Sequence, residues 1–195
     1  YGNNAYGGAI YGAGGVTLSS NDKVSFTDNS AKGYEVHGGA IYSAGDVLIS
    51  SNKGTADEPA VNISGNTIIC ADDGFGGAIY AGQNSGNSIS EQQFKNDVTL
   101  TGNGNIVFDN NKIVSDFRAR GGAIYADGYI TLSGNGDVTF TGNSVKSDHG
   151  GSAVGGAIST YLVMGSDSSK DVHTSVPVGV SLSGNGAITF SGNSS

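Results

Sequence analysis

Few residues of this sequence are of a type and spacing that could do chemistry. Cleaving a polysaccharide needs clustered acids, sometimes with Ca²⁺, or a base to abstract a proton. Two pairs of neighbouring acids occur, Asp57 with Glu58 and Asp72 with Asp73. They fall in different loops, and no acid recurs at one position of successive strands. His37, His149 and His173 lie in three different repeats without ligand spacing, so a zinc site is not expected. Arg118 and Arg120 share one loop with Asp116, a spacing that predicts a solvated ion pair of little energetic weight. Calcium in an Asp/Asn corner, for instance Asp109 with Asn110, is disfavoured, and the repetitive-toxin glycine and aspartate nonapeptide is absent. No Ser/His/Asp arrangement can be assembled. The sequence therefore predicts no catalytic residues, no metal and no cofactor.

The elements that would position any site must come from an unusual composition. The 195 residues include 34 glycines, 2 prolines and no tryptophan, and only 13% are charged. That is too little Lys and Glu for the exposed faces of a helical bundle. Glycine and polar residues at this level also fit disorder, but the regular return of Val, Ile, Leu and Phe argues against it. A formal charge of −8 without a Lys/Arg cluster makes nucleic acid and anionic membrane poor partners. The single cysteine, Cys70, excludes an internal disulfide framework and leaves the compartment open. No apolar stretch approaches a membrane span and no cleavable signal is seen. The chain starts and stops inside its own pattern, as an excised piece of a longer protein would.

That pattern is a repeat. Gly-Gly-Ala-Ile begins at Gly7, Gly38, Gly76, Gly121 and Gly155, and is followed by Tyr11, Tyr42, Tyr80 and Tyr125 in the first four copies and by Ser159 in the fifth. Two segments of the form apolar, any, apolar, Ser/Thr or Asp, any, Asn come after each copy. The first places Leu18, Ile49, Leu100, Leu132 and Leu182 at its second apolar position, and ends in Asn21, Asn52, Asn103, Asn135 and Asn185. The second places Phe26, Ile63, Phe108, Phe140 and Phe190, and ends in Asn29, Asn66, Asn111, Asn143 and Asn193. Insertions interrupt the spacing at residues 81–97, 159–179 and 53–60.

Short alternation closed by Gly-Asn, Ser-Asn or Asp-Asn is a strand followed by a tight turn. Such strands bury too little to stand alone. Stacked at about 4.8 Å, equivalent positions form internal columns of Leu, Phe and Ile, with hydrogen-bonded asparagine ladders at the turns. The expected fold is all-β: a single right-handed parallel β-helix (solenoid) over residues 1–195. It has about five coils and three short strands per coil. The corner before each Gly-Gly-Ala-Ile is expected to be a loop; a fourth strand there is the weaker alternative, since residues 30–36, 112–118 and 144–154 share no pattern.

The Gly-Gly-Ala-Ile and Phe-x-x-Asn motifs resemble those of the chlamydial polymorphic membrane protein family and related polymorphic outer-membrane repeats. Both recur in order along essentially the whole chain, with Ile63 to Asn66 departing from Phe-x-x-Asn. The resemblance implies a segment of an autotransporter passenger: a β-helical rod at the bacterial cell surface or outer membrane, or secreted, that acts as an adhesin. Its partner would be a host or neighbouring-cell surface protein or glycan, with self-association a further option and no membrane contact within this segment. A rod that only spaces a distal head is the competing reading.

For binding, the first surface candidate is the tyrosine series. With Ile inside, Tyr11, Tyr42, Tyr80 and Tyr125 face outward as an aromatic ladder suited to sugars or flat protein surfaces. Mutual stacking alone is the favoured role, and the inverse registry with Ala and Tyr inside stays open. The insertions at 81–97 and 159–179 emerge at one corner, where solenoids usually bind. Tyr161, Leu162, Val163 and Met164 within the second are expected to cover the side of the helix rather than form a contact patch. An ice-binding threonine face is disfavoured, because Leu48 and Ser181 interrupt the column of Thr17, Thr99 and Thr131.

Overall fold

The alternating segments close into strands of four or five residues. In a computed structural model these strands pair only with their equivalents one coil away, always in parallel. The structure describes residues 3–82, 96–160, 164–167, 172–175 and 178–195, with backbone alone at 164–167 and 172–175. The leucine wall comprises Val16–Ser19, Val47–Ser50, Val98–Thr101, Tyr129–Ser133 and Gly179–Ser183. The phenylalanine wall comprises Val24–Thr27, Val61–Ser64, Ile106–Asp109, Val138–Thr141 and Ile188–Ser191. The glycine wall, carrying Gly-Gly-Ala-Ile, comprises Ile10–Gly12, Ile41–Ser43, Ile79–Ala81, Ile124–Ala126 and Ile158–Thr160. The molecule is a right-handed parallel β-helix of about five coils.

Three strands per coil is too few. The corner expected to be a loop holds a fourth wall, Ser30–Gly33, Thr67–Cys70, Lys112–Ser115 and Ser144–Ser147. A fifth and shorter wall follows: Ala5–Tyr6, Val36–His37, Gly74–Phe75, Ala119–Arg120 and Ala153–Val154. The physical reason is one inward apolar residue two positions after each second asparagine: Ala31, Ile68, Ile113 and Val145. With Val36, Cys70 and Ala119 they make a second, smaller core beside the main one. Burial pushes the Cys70 thiol up to about 11, so it behaves there as a small apolar side chain.

The main core is the expected set of columns. Leu18, Ile49, Leu100, Leu132 and Leu182 are in register rung by rung, as are Phe26, Ile63, Phe108, Phe140 and Phe190. Ile49, Leu100, Leu132, Ile63, Phe108 and Phe140 are completely buried, each contributing about 1.5–3 kcal/mol. Leu18 and Phe26 on the first rung are partly buried, whereas Leu182 and Phe190 on the edge strands of the fifth are exposed. The rings of Phe108 and Phe140 stack at 4.8 Å, and those of Phe140 and Phe190 at 4.9 Å, with nearly parallel planes and the strand spacing as their repeat.

Both glycines of the Gly-Gly pair are required, for different reasons. Gly76 takes φ +64°, and a Cβ on Gly77 would stand 2.0 Å from the carbonyl oxygen of Gly122 in the next coil. The same contact recurs at Gly8, Gly39 and Gly122. The glycine wall can therefore bend and be approached closely only where no side chain exists.

At the turns, both asparagine series form continuous ladders. Asn21 donates through Nδ2 to Oδ1 of Asn52, Asn52 to Asn103, Asn103 to Asn135 and Asn135 to Asn185, at 2.8–2.9 Å. Asn29, Asn66, Asn111, Asn143 and Asn193 repeat the pattern at 2.8–3.0 Å. Each Oδ1 also accepts the backbone N–H of the asparagine one coil earlier, as Asn111 does from Asn66. The second Nδ2 hydrogen goes to the carbonyl of a core residue in that earlier coil, Ile63 for Asn111 and Ile49 for Asn103. Every polar atom of a central rung is thus satisfied without water. Asn111→Ala would leave two donors of Asn66 and the carbonyl of Ile63 buried without partners. It should cost about 3 kcal/mol or more in urea unfolding, against about 1 kcal/mol or less for Asn21→Ala on the exposed first rung.

Candidate functional site

The tyrosine series stacks, but it is not an open platform. Ring centroids lie 5.3 Å apart for Tyr11 and Tyr42, 5.5 Å for Tyr42 and Tyr80, and 5.3 Å for Tyr80 and Tyr125. Tyr42, Tyr80 and Tyr125 are only 2–3% exposed, and Tyr11 alone is open at 59%. The expectation of an outward, accessible ladder is therefore corrected for three of the four. The rings do point away from the isoleucine columns and form a separate apolar cluster. The short fifth wall closes over them: His37 lies 6.0 Å from Tyr42 and 4.9 Å from Tyr80, while Phe75 stacks on Tyr125 at 5.1 Å. The Tyr80 hydroxyl donates to Asp127 at 3.1 Å, and burial holds the phenols of Tyr80 and Tyr125 well above the ordinary tyrosine range. A sugar cannot reach these faces.

A second correction concerns the acids. Glu35, Asp73 and Arg118 occupy one position of three successive coils, between the fourth and fifth walls. Acids do recur in successive coils here, contrary to the expectation from sequence. Arg118 reaches the buried acid of the preceding coil, while Asp116 pairs with His149. The Arg118 Nε reaches Asp73 Oδ1 at 2.9 Å and its Nη2 reaches Oδ2, on a carboxylate whose side chain is 5% exposed. Arg120 instead lies over the Phe75 ring at 5.9 Å. The Glu35 carboxyl accepts from Asn4 at 3.0 Å and is held above the usual carboxylate range, first by burial and then by the charges of Asp73 and Asp72. Beside this column, Tyr34 and Phe117 are about half exposed, with Asp72 in the coil between them. The sequence hides the alignment: Tyr34 comes five residues after Asn29, but Asp72 and Phe117 come six after Asn66 and Asn111.

The insertion at 53–60 builds a third feature. Its ends are tied to the first coil by Lys53 N–H to Asn21 C=O at 3.0 Å and Gly54 N–H to Asp22 C=O at 2.8 Å. Thr55 and Glu58 close a turn, and Glu58 pairs with Lys23 at 2.9 Å. Between this arm and the outer face of the phenylalanine wall runs an open groove, lined by Asp57, Pro59, Asn105, Val107, Asp137 and Thr139 among others. No other coil carries such an arm at this corner among the described residues.

His149 pairs with Asp116 at 3.4 Å, and Asn110 donates to Asp109 at 2.9 Å. Among the described residues no group of three His, Cys, Asp or Glu side chains is placed to hold a metal. Leu48 and Ser181 do share the column of Thr17, Thr99 and Thr131. Most of the 81–97 insertion lies outside the described residues, as do Tyr161, Leu162 and Val163. Within the other insertion, Met164–Asp167 pairs antiparallel with Val172–Ser175.

These features define a β-solenoid repeat protein with regular inner columns and irregular outer ones. The family model of the Chlamydia polymorphic membrane protein repeat matches the chain at three places, residues 23–44, 105–127 and 137–161. Each match runs from a Phe-x-x-Asn to the following Gly-Gly-Ala-Ile, that is, from the phenylalanine wall through the fourth and fifth walls to the glycine wall. These three stretches are similar to that repeat, which is named for a membrane protein family. No curated protein and no solved structure matches it.

One buried group gives the aromatic cluster a pH response. His37 is 2% exposed, and neither ring nitrogen has a hydrogen-bond partner; burial lowers its pKa to about 3. Below about pH 6.5 the unfolded chain takes up a proton that the folded chain refuses, so stability falls with pH until about 3. By pH 4.5 the loss should be roughly 2–3 kcal/mol. His37→Phe places there the ring type that Phe75 already provides one coil on. Urea titrations from pH 7 to 4 should show a shallower decline in that variant than in the native chain.

Proposed function

We propose that this chain is a segment of a surface-displayed passenger that attaches to molecules of a host or neighbouring cell and catalyses nothing. The observation that carries the reading is the match to polymorphic membrane protein repeats on a β-helical rod. The rod's inward positions repeat from coil to coil, while its outward features do not. A passive spacer needs only uniform turns. Here one coil alone carries the 53–60 arm and its groove among the described residues, and the tyrosines are enclosed rather than offered. Binding is therefore assigned to the irregular corners, not to the repeating aromatic column. Export through a C-terminal barrel of the full protein would place these corners outside the outer membrane, or release them.

Beads coated with the purified chain should adhere to cultured epithelial cells. Soluble chain should compete, and trimming residues 53–60 to the spacing of the other coils should reduce attachment at least about twofold if the groove contributes. Equal attachment by bare and coated beads would contradict adhesion and favour the spacer.

A further inference from the structure

We propose that the corner formed by Tyr34, Asp72 and Phe117, backed by Glu35 and Asp73, is a docking site for a Lys or Arg side chain of an extended protein segment. The proposal deepens the adhesive reading by naming its partner chemistry. Three coils bring the residues together, with the Asp72 N–H bonded to the Tyr34 carbonyl at 2.9 Å and the Phe117 N–H to the Asp72 carbonyl at 3.2 Å. Tyr34 and Phe117 lie two coils apart, about 10 Å, so a carboxylate stands between two rings. At 47% and 49% exposure they are among the most open large apolar side chains of the molecule, and neither belongs to an apolar core cluster. Packing does not explain them.

Charge decides which partner fits. The three turns carry four carboxylates, Glu35, Asp72, Asp73 and Asp116, against the single guanidinium of Arg118. That guanidinium pairs with Asp73 and also acts on Glu35, but one positive charge against four carboxylates leaves the field at Asp72 negative. Tyr34 senses it: its phenol is held above the ordinary range, first by the charge of Asp72 and then by its hydrogen bond to the same group. An ammonium or guanidinium placed between the rings would meet Asp72 directly and the faces of Tyr34 and Phe117 on either side, as cation–π recognition requires. The chain already makes this contact internally, with Arg118 5.7 Å from the Phe117 ring centre. A neutral glycan would use the rings but gain nothing from the surplus charge, and an acidic partner would be repelled.

The test uses the whole chain and a fluorescein-labelled hexa-arginine peptide, read by anisotropy at about 150 mM salt, where diffuse attraction is screened. Asp72→Asn and Phe117→Ala should each weaken binding about fivefold to tenfold. Asp22→Asn, on a side chain 96% exposed at another corner, should change it less than about twofold. Equal losses for Asp22→Asn and Asp72→Asn would reduce the effect to net charge and overturn the proposal. So would displacement of the peptide by neutral cellohexaose, or no binding at all. Cell attachment that persists in both corner variants, with no peptide binding by the native chain, would overturn the cationic corner and leave the adhesive reading standing.

Discussion

The structure depends on a hydrogen bond between identical side chains. An asparagine amide has an acceptor on one end and two donors on the other, so a column of asparagines at the strand spacing can satisfy itself indefinitely. Here two such columns run the length of the described coils: each side-chain amide donates one hydrogen to the asparagine of the next coil and the other to a carbonyl of the preceding one. Aligned bonds of this kind polarise one another in a low-dielectric interior. They also solve the main difficulty of a tight turn at the edge of an apolar core, which is the burial of backbone N–H and C=O groups without water. With the turns held, the apolar columns between them have a fixed spacing, and Phe108, Phe140 and Phe190 stack at that spacing.

The other inner features adjust to this frame. The glycine pair lets the chain turn sharply into the glycine wall, and its lack of side chains lets coils approach there. The sharp turn brings the short fifth wall against the outer side of the glycine wall, and the tyrosines are enclosed between the two. A column that looks like a binding surface in one wall becomes a second interior once another wall folds over it. What remains for partners is the set of corners where the repeat is broken: the 53–60 arm over its groove, and the turns carrying Tyr34, Asp72 and Phe117.

How far the sequence discloses this follows from the same physics. The leucine and phenylalanine columns and both asparagine ladders are legible because each has two apolar positions and an asparagine in fixed spacing. The fourth wall is not, because only one position per coil is apolar throughout, varying between Ala31, Ile68, Ile113 and Val145, while its neighbour two residues on is Gly33, Cys70 or Ser115. The fifth wall, two residues long, has no period to read. Without these two walls the sequence reads as exposed tyrosines, scattered acids and an Arg118 that belongs to Asp116. Registry between coils places Glu35, Asp73 and Arg118 together, and irregular turn lengths conceal that registry in the linear chain.

The central claim is that the asparagine ladders hold the coils in register, and amide hydrogen exchange of the purified chain tests it most directly. Backbone and side-chain amide protons of Asn66, Asn103, Asn111 and Asn135 should exchange only through global unfolding, at the rate of the slowest amides of the leucine wall. Exchange of those side-chain amides at the rate of a solvated asparagine, while the strands between them stay protected, would contradict it and leave the apolar columns as the sole support of the fold.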